Sequence, residues 1–296
     1  MKPSLIASFR SHLMFDFDAD VGLTLDLRTT LRIRRITKAE KFSSYLVNDK
    51  TEEGRGFGGG NEGRLFFVAD CLNIGNPKYE LDRLTTLLLL FKKETEGDVL
   101  PTFSTEFGGQ GTDLQSLPQI ERDEVDTGHS EYPRYFLHAS DIEPFKVFWA
   151  KHTQVVWQPN LMIASRRLMR MQARVGRDSD EDRLIDIMIG FEALLLSKSD
   201  DNKGPLIARR AAKLLGKNVE RELRLAYECR NDLVHEGQVN GTLLAEIGMR
   251  FERYVVQVES ILRSTMLRYI ELVNQGLSKN RILEQIESSG QSTGES

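Results

Sequence analysis

The chain has 296 residues, of which 40% are apolar and 28% are charged, a composition typical of a globular domain protein. It carries 40 basic and 44 acidic residues, for a net charge of −4. This balance excludes a uniformly basic nucleic-acid coat and a long acidic tail. Residues 1–150 carry 18 basic and 24 acidic side chains, whereas residues 151–296 carry 22 and 20, so a local basic site in the second half remains open.

Cysteine content and apolar runs bear on the cellular compartment. Cys71 and Cys229 lie far apart, and neither has a metal-ligand neighbour at short spacing, so we expect no zinc motif and no disulfide framework. The longest apolar run covers residues 87–91, far short of the roughly 20 residues that cross a bilayer. Residues 1–10 lack the pattern of a secretory signal. The sequence predicts a cytoplasmic protein with no membrane segment, no metal and no cofactor.

The first half of the chain shows the alternation of apolar residues that is typical of half-buried strands. Strands are predicted at residues 12–17, 23–27, 31–33, 64–69, 84–91 and 134–138. The six glycines of residues 54–63 lack the G-K-[S/T] ending of a phosphate-binding loop, so a hairpin loop is expected there. Residues 101–143 include nine acidic and two basic residues, which predicts an acidic loop or a long acidic connecting segment. Residues 1–139 are therefore predicted to form a β-rich N-terminal domain.

The second half shows helical spacing of its apolar residues. Helices are predicted at about 140–152, 160–174, 180–196, 204–215, 219–235 and 247–273. Pro159 is expected to break the pattern, and Gly216 is expected to end the fourth helix. The predicted fold class is thus α+β: the β-rich domain is followed by an all-α helical bundle at 140–287, with its core at 160–275. Residues 288–296 are polar and small and predict a disordered tail.

The fifth predicted helix places a charge on an apolar face. At about 100° per residue, Arg230 shares this face with Leu223, Ala226, Tyr227 and Val234. A guanidinium there needs a carboxylate or a phosphate, because an unpaired buried charge costs several kcal/mol. His235 lies roughly 140° further around the helix, so the two side chains cannot meet side by side. They could still line one cleft that runs across the helix end or is shared by two chains.

These residue types suit the cleavage of RNA without a metal. An imidazole can move a proton near neutral pH, and a guanidinium can grip a phosphate and neutralise a phosphorane. Asn231 shares a flank with His235 and could orient the imidazole or a phosphate oxygen, while the 2′-hydroxyl acts as an internal nucleophile. The alternative is structural: Arg230 pairs with a core carboxylate such as Glu192, and His235 favourably ends the helix.

Three segments of the second half resemble one family. Residues 227–237 read YECRNDLVHEG and resemble the signature helix of HEPN domains, the R-x-x-x-x-H motif in its R-N form. Residues 191–195, FEALL, resemble the "ALEALL" helix of ApeA-like HEPN proteins, and residues 206–216, LIARRAAKLLG, resemble the helix that follows it. The resemblance covers residues 160–275.

This resemblance implies a metal-independent endoribonuclease of a toxin–antitoxin or antiphage defence system, although other HEPN domains only bind nucleotides or partners. It implies a cleft at a two-fold interface, so we expect a homodimer formed through the helical bundle, with RNA as substrate and an antitoxin or a trigger as a further partner. The N-terminal domain would sense the trigger or restrain the activity. The implied roles are phosphate binding by Arg230, acid or base catalysis by His235, polar assistance by Asn231, and support by Glu192 and by Arg209 or Arg210.

An arginine cluster precedes these motifs. Five arginines fall within residues 166–177, and Arg166, Arg170 and Arg174 recur every four residues on one predicted helix face. Such a face could hold an RNA backbone. The alternative is a solvated helix face that is balanced by the acidic residues just after it.

Overall fold

A computed structural model describes residues 5–9, 13–15, 20–24, 30–35, 67–72, 77–91, 105–109, 135–137, 139–172 and 179–288. Side chains are described for residues 79–80, 82–91, 140–171 and 180–288. The predicted glycine loop at 54–63, Arg174 and the predicted tail beyond Ser288 lie outside the described residues.

In the first half of the chain, strand segments are described by their backbone alone. They are β1 Leu5–Phe9, β2 Leu13–Phe15, β3 Asp20–Thr24, β4 Thr30–Arg35, β5 Phe67–Leu72, β6 Thr105–Gly109 and β7 Tyr135–Leu137. Five of them pair antiparallel in the order β3-β4-β5-β1-β6. The remaining two, β2 and β7, pair in parallel.

Helices make up most of the rest of the described chain. They are α1 Pro77–Phe91, α2 Ile142–His152 after a short 3₁₀ turn at Ala139–Asp141, α3 Pro159–Gln172, α4 Ser179–Leu195, α5 Lys203–Leu215, α6 Glu220–Glu236, α7 Gly241–Ile247, α8 Phe251–Asn274 and α9 Lys279–Ser288. The chain divides into two compact units: Met1–Leu81 with Thr95–Ala150, and Asp82–Glu94 with Lys151–Ser296. Most of α1 therefore belongs to the second, helical unit.

The predicted α+β class, a β-rich N-terminal domain before an all-α bundle, is wrong for the part of the chain that is described with its side chains. That part is mostly helical and contains no strand, so it is all-α. Residues 84–91 show one reason, because this predicted strand is the second half of α1. Leu84 and the leucines at 87–90 are at most 1% exposed. A run that is buried on every side has no periodicity, so its pattern cannot separate a strand from a buried helix.

Proline and glycine set two helix boundaries that differ from the prediction. Pro159 is the first residue of α3 rather than a break before it, because proline suits the first helical position, where an N–H is not needed. The long helix predicted from Ile247 begins later than expected, because Ile247 is the last residue of the separate helix α7. Gly248 has a φ of 70° and ends α7, since glycine adopts this left-handed conformation at little cost. The helix α8 then begins at Phe251.

Helix α4 lies at the centre of the helical unit and packs against α3, α5, α6 and α8. The apolar residues whose helical spacing predicted this helix form one stripe, and each of them is fully buried: Leu184, Ile187, Met188, Phe191 and Leu195. Trp157 of the same unit is 2% exposed. The spacing of apolar residues therefore predicted the packed face of α4 correctly.

A buried ion network joins α8 to α1 and α4. Arg263 donates from Nε to Glu259 at 2.8 Å, and it also donates to the backbone carbonyl of Leu89. Arg183 of α4 donates to the other carboxylate oxygen of Glu259 at 3.0 Å. The Leu89 carbonyl is in the last turn of α1, where carbonyls lack an intrahelical partner. Arg263 therefore satisfies a helix end while its own charge is paired.

Candidate functional site

Arg230 lies at the edge of the buried face of α6 rather than in its middle. The buried residues of this helix are Leu223, Leu225, Ala226, Cys229 and Leu233. Val234, which was expected on the same apolar stripe as Arg230, is 49% exposed. The Arg230 side chain itself is 22% exposed. The buried face of α6 therefore does not include Val234, and Arg230 lies at the edge of this face, here called the rim of α6.

The Arg230 guanidinium makes few polar contacts. Nη2 lies 3.8 Å from Oε1 of Glu192 on α4, and Nη1 donates to Oδ1 of Asn231 at 3.2 Å. Nε is shielded from solvent and has no hydrogen-bond partner among the described residues. The pairing with Glu192 that was the structural alternative is therefore present, but its length is that of an ion pair without a hydrogen bond.

Two other arginines of the helical unit show how a guanidinium is held by carboxylates and helix-end carbonyls. Arg210 donates to Glu287 at 2.8 Å, to the carbonyl of Leu195 at 2.7 Å and to Asp200. Arg263 likewise bonds both a carboxylate and a helix-end carbonyl. Arg230 has neither contact at such distances, so its Nη groups keep donor capacity for an anionic ligand.

His235 lies in the last turn of α6, and its side chain is exposed. Gly237 follows with a φ of 74° and ends the helix. The turn beyond it is fixed by Asp232, whose Oδ2 accepts the backbone N–H of Asn240 at 3.0 Å. Within the described part of the chain no contact joins His235 to Arg230, as their spacing predicts. The structure thus brings Arg230, Asn231 and Glu192 together, and among the described residues no contact joins His235 to any of them.

Tyr227, which the helical spacing places on the same face as Arg230, is part of this site. The guanidinium carbon of Arg230 lies 5.9 Å from the centre of the Tyr227 ring, within the range of a cation–π contact. Burial raises the pKa of Tyr227, the negative charge of Glu192 raises it further, and the positive charge of Arg230 opposes the shift. The signal for this contact was the i, i+3 spacing of the two residues on one helix.

The predicted supporting arginines lie elsewhere in the unit. Arg209 and Arg210 both reach Glu287 of α9, at 3.1 Å and 2.8 Å. Neither has a described contact with Arg230, whose polar neighbours are Glu192 and Asn231. The supporting role that the family resemblance implies for this arginine pair stays a prediction.

Asp200 makes the Arg210 cluster sensitive to acid. The hydrogen bond from Arg210 lowers the pKa of Asp200 to about 2, against burial, which raises it. Because this pKa is depressed in the folded state, its stabilising contribution is complete above about pH 4 and is lost as the pH falls towards 2. We expect the Tm of the wild type to fall more steeply over this range than that of Asp200→Asn, in melts followed by circular dichroism. Parallel curves would contradict the assignment.

The predicted RNA-binding arginines of α3 each face a carboxylate. The side chains of Arg166 and Arg170 are both 62% exposed. Nε of Arg166 lies 3.5 Å from Asp82 of α1, and Nε of Arg170 lies 3.9 Å from the buried Asp186 of α4. These carboxylates reduce the positive potential of the face. The RNA contact stays a prediction, and Arg174 lies outside the described residues.

No family model matches this chain, and comparisons with curated proteins and with solved structures give no significant match. The likeness to HEPN domains therefore rests on the motifs of the sequence. The described residues contain no group of three or more His, Cys, Asp and Glu side chains that could hold a metal ion. None of the helices in the described ranges combines the length and the apolar character that crossing a membrane requires.

Proposed function

We propose that this chain is a metal-independent endoribonuclease of the HEPN type, a cytoplasmic toxin or antiphage defence effector. The observation that carries the proposal concerns the part-buried guanidinium of Arg230, whose one ion pair with a described carboxylate, Glu192, is 3.8 Å long and is not a hydrogen bond. Arg183 also has a buried Nε without a hydrogen-bond partner among the described residues, but its Nη groups bond the carboxylates of Asp180 and Glu259 at 2.8 Å and 3.0 Å. The Nη groups of Arg230 do not make such a contact with Glu192. A phosphate would supply the acceptors that Arg230 lacks.

In the proposed reaction the 2′-hydroxyl of the RNA attacks the adjacent phosphorus. The bond between O2′ and phosphorus forms and the bond between phosphorus and O5′ breaks, which leaves a 2′,3′-cyclic phosphate and a free 5′-hydroxyl. His235 accepts the proton of the 2′-hydroxyl or donates one to the leaving oxygen. Arg230 neutralises the charge of the phosphorane, and Asn231 orients a phosphate oxygen.

A second copy of the chain completes the proposed site. Arg230 and His235 lie about 140° apart around one helix, so the pair of a single chain does not converge side by side on one phosphate. A two-fold interface along α6 would bring two histidines to one cleft, one as base and one as acid. In this proposal residues 1–139 sense a trigger or restrain the activity, and an antitoxin is a further candidate partner.

A non-catalytic binding module is the second candidate function. The observation that favours it is the ion pair between Arg230 and Glu192, which holds the guanidinium beside a carboxylate of its own chain. Such a site could still bind a nucleotide, an RNA or a protein partner without turnover. This candidate predicts binding without cleavage.

We expect the purified chain to cleave single-stranded RNA in the presence of EDTA, because the reaction needs only side chains and the 2′-hydroxyl. Gel analysis of end-labelled RNA would measure the rate, and mass spectrometry would detect the 2′,3′-cyclic phosphate. An oligonucleotide methylated at every 2′-oxygen is the matched control, since it can bind but has no nucleophile. Cleavage of that control, or cleavage only with added Mg²⁺, would contradict the proposal. Binding of both oligonucleotides without cleavage would support the second candidate.

A further inference from the structure

We infer that Tyr227 is a positioning residue whose ring, packed on Gly204, holds the Arg230 guanidinium at the rim of α6 in the orientation that receives a phosphate. The consequence for catalysis rests on the proposed function. The contact between Tyr227 and Arg230 does not depend on that function, so an experiment can contradict either the contact or the function separately.

The first step of the argument is the contact between the two side chains. Tyr227 precedes Arg230 by three residues on α6, so their side chains are neighbours on the helix surface. Helical side chains lean towards the N-terminus, which brings the guanidinium back over the ring, 5.9 Å from its centre. The other described contacts of the guanidinium are an ion pair of 3.8 Å with Glu192 and a hydrogen bond of 3.2 Å to Asn231. The aromatic face is therefore one of the three described contacts that restrain the guanidinium.

The second step is the packing of the ring on α5. Gly204 is the second residue of α5 and is buried. A Cβ built at Gly204 would lie 2.5 Å from Cδ1 and 2.9 Å from Cγ of Tyr227, closer than atoms can approach without a shift. The missing side chain of Gly204 thus lets the ring rest on the backbone of another helix, and that backbone fixes the position of the ring.

The third step separates the ring from its hydroxyl. Among the described residues the Tyr227 hydroxyl has no hydrogen-bond partner, whereas the ring contacts both Gly204 and Arg230. The positioning role therefore belongs to the ring. We expect Tyr227→Phe to keep it and Tyr227→Leu to lose it, because leucine has no aromatic face for a cation.

The kinetic test compares these variants in RNA cleavage by the full chain. Tyr227→Leu should lower kcat by about 10- to 100-fold, since small displacements of a positioned group have effects of this size, while KM changes less. Tyr227→Phe should restore the wild-type kcat. Gly204→Ala keeps the tyrosine but displaces its ring, so it should lower kcat as Tyr227→Leu does. Gly241→Ala is the matched control, because a Cβ at Gly241 meets nothing within 4 Å.

The second readout does not depend on cleavage. In protein labelled with ¹⁵N-arginine, Arg230→Lys identifies the Nε–H resonance of Arg230 by its loss from the NMR spectrum. The ring should shift this resonance in the wild type, in Tyr227→Phe and in Gly241→Ala, and the shift should be lost in Tyr227→Leu and Gly204→Ala. Circular dichroism melts check that each variant is folded, and Gly204→Ala decides the question if Tyr227→Leu unfolds.

Two results would overturn the positioning role. One is an Arg230 resonance that stays unchanged when the ring is removed or displaced. The other is a wild-type kcat in a folded Tyr227→Leu variant of an active enzyme. If the wild-type chain does not cleave RNA, the proposed function fails, and the NMR comparison alone decides whether Tyr227 positions Arg230.

Discussion

Arg230→Ala is expected to lower the rate of RNA cleavage by a factor of about 10² to 10³, the loss seen when one group that stabilises transition-state charge is removed. His235→Ala is expected to lower it by about 10² to 10⁴, because it removes a proton-transfer group. Both losses should appear mainly in kcat, since charge on the phosphate and proton transfer develop in the transition state. Single-turnover cleavage of a labelled RNA would measure them.

The matched control for these variants is Arg281→Ala. Arg281 lies on α9 and not on α6, its side chain is 73% exposed, and it pairs with Glu284 at 2.9 Å, so its substitution removes the same charge from another helix. We expect near wild-type cleavage from it. Expression of the wild type and of the control variant should arrest growth, whereas expression of His235→Ala should not. Cleavage that persists in both Arg230→Ala and His235→Ala would place the activity elsewhere in the chain or in a contaminant.

The sequence predicted the helices that have one apolar face or that end at a glycine. The stripe of α4 is buried as expected, and Gly216 ends α5 with a φ of 61°. The pattern failed for α1, where the apolar residues are buried on every side and no period distinguishes a helix from a strand. The partner that holds the end of α1 is also remote, because Arg263 and Leu89 are 174 residues apart. Local spacing carries no information about such a contact.

The candidate site could be predicted only in part for a similar reason. Spacing placed Arg230 on a helix and put His235 on another flank, as the structure has them. It could not show whether the Arg230 donors are satisfied, since that depends on Glu192 from α4 and on how closely α4 approaches. It also could not show the support of Tyr227 by Gly204, which needs the packing of α5 against α6. The sequence therefore identified the residue types of the candidate site, whereas the contacts of these residues depend on how the helices pack.

Arg210→Ala is expected to lower the free energy of unfolding by about 3 kcal/mol, because it leaves the buried carbonyl of Leu195 without this donor and removes the charge-assisted bonds to Asp200 and Glu287. Its side chain is 9% exposed and binds Glu287, Asp200 and the carbonyl of Leu195. Leu195 is the last residue of α4, where carbonyls lack intrahelical partners. The substitution therefore removes a hydrogen bond from the last carbonyl of α4, and α4 is also the helix that carries Glu192. Urea denaturation followed by circular dichroism would measure the loss.

Arg209→Ala is the matched control, since Arg209 precedes Arg210 and shares Glu287 but has a side chain that is 49% exposed. An exposed ion pair contributes little, so we expect a change below about 1 kcal/mol. Equal effects of the two variants would contradict the structural role of Arg210. If Arg210→Ala is folded at low temperature, it should still cleave RNA, because Arg210 does not contact Arg230. A folded but inactive Arg210→Ala would instead favour the supporting role that the likeness to HEPN domains implies, and it would connect the end of α4 to the cleft through Glu192.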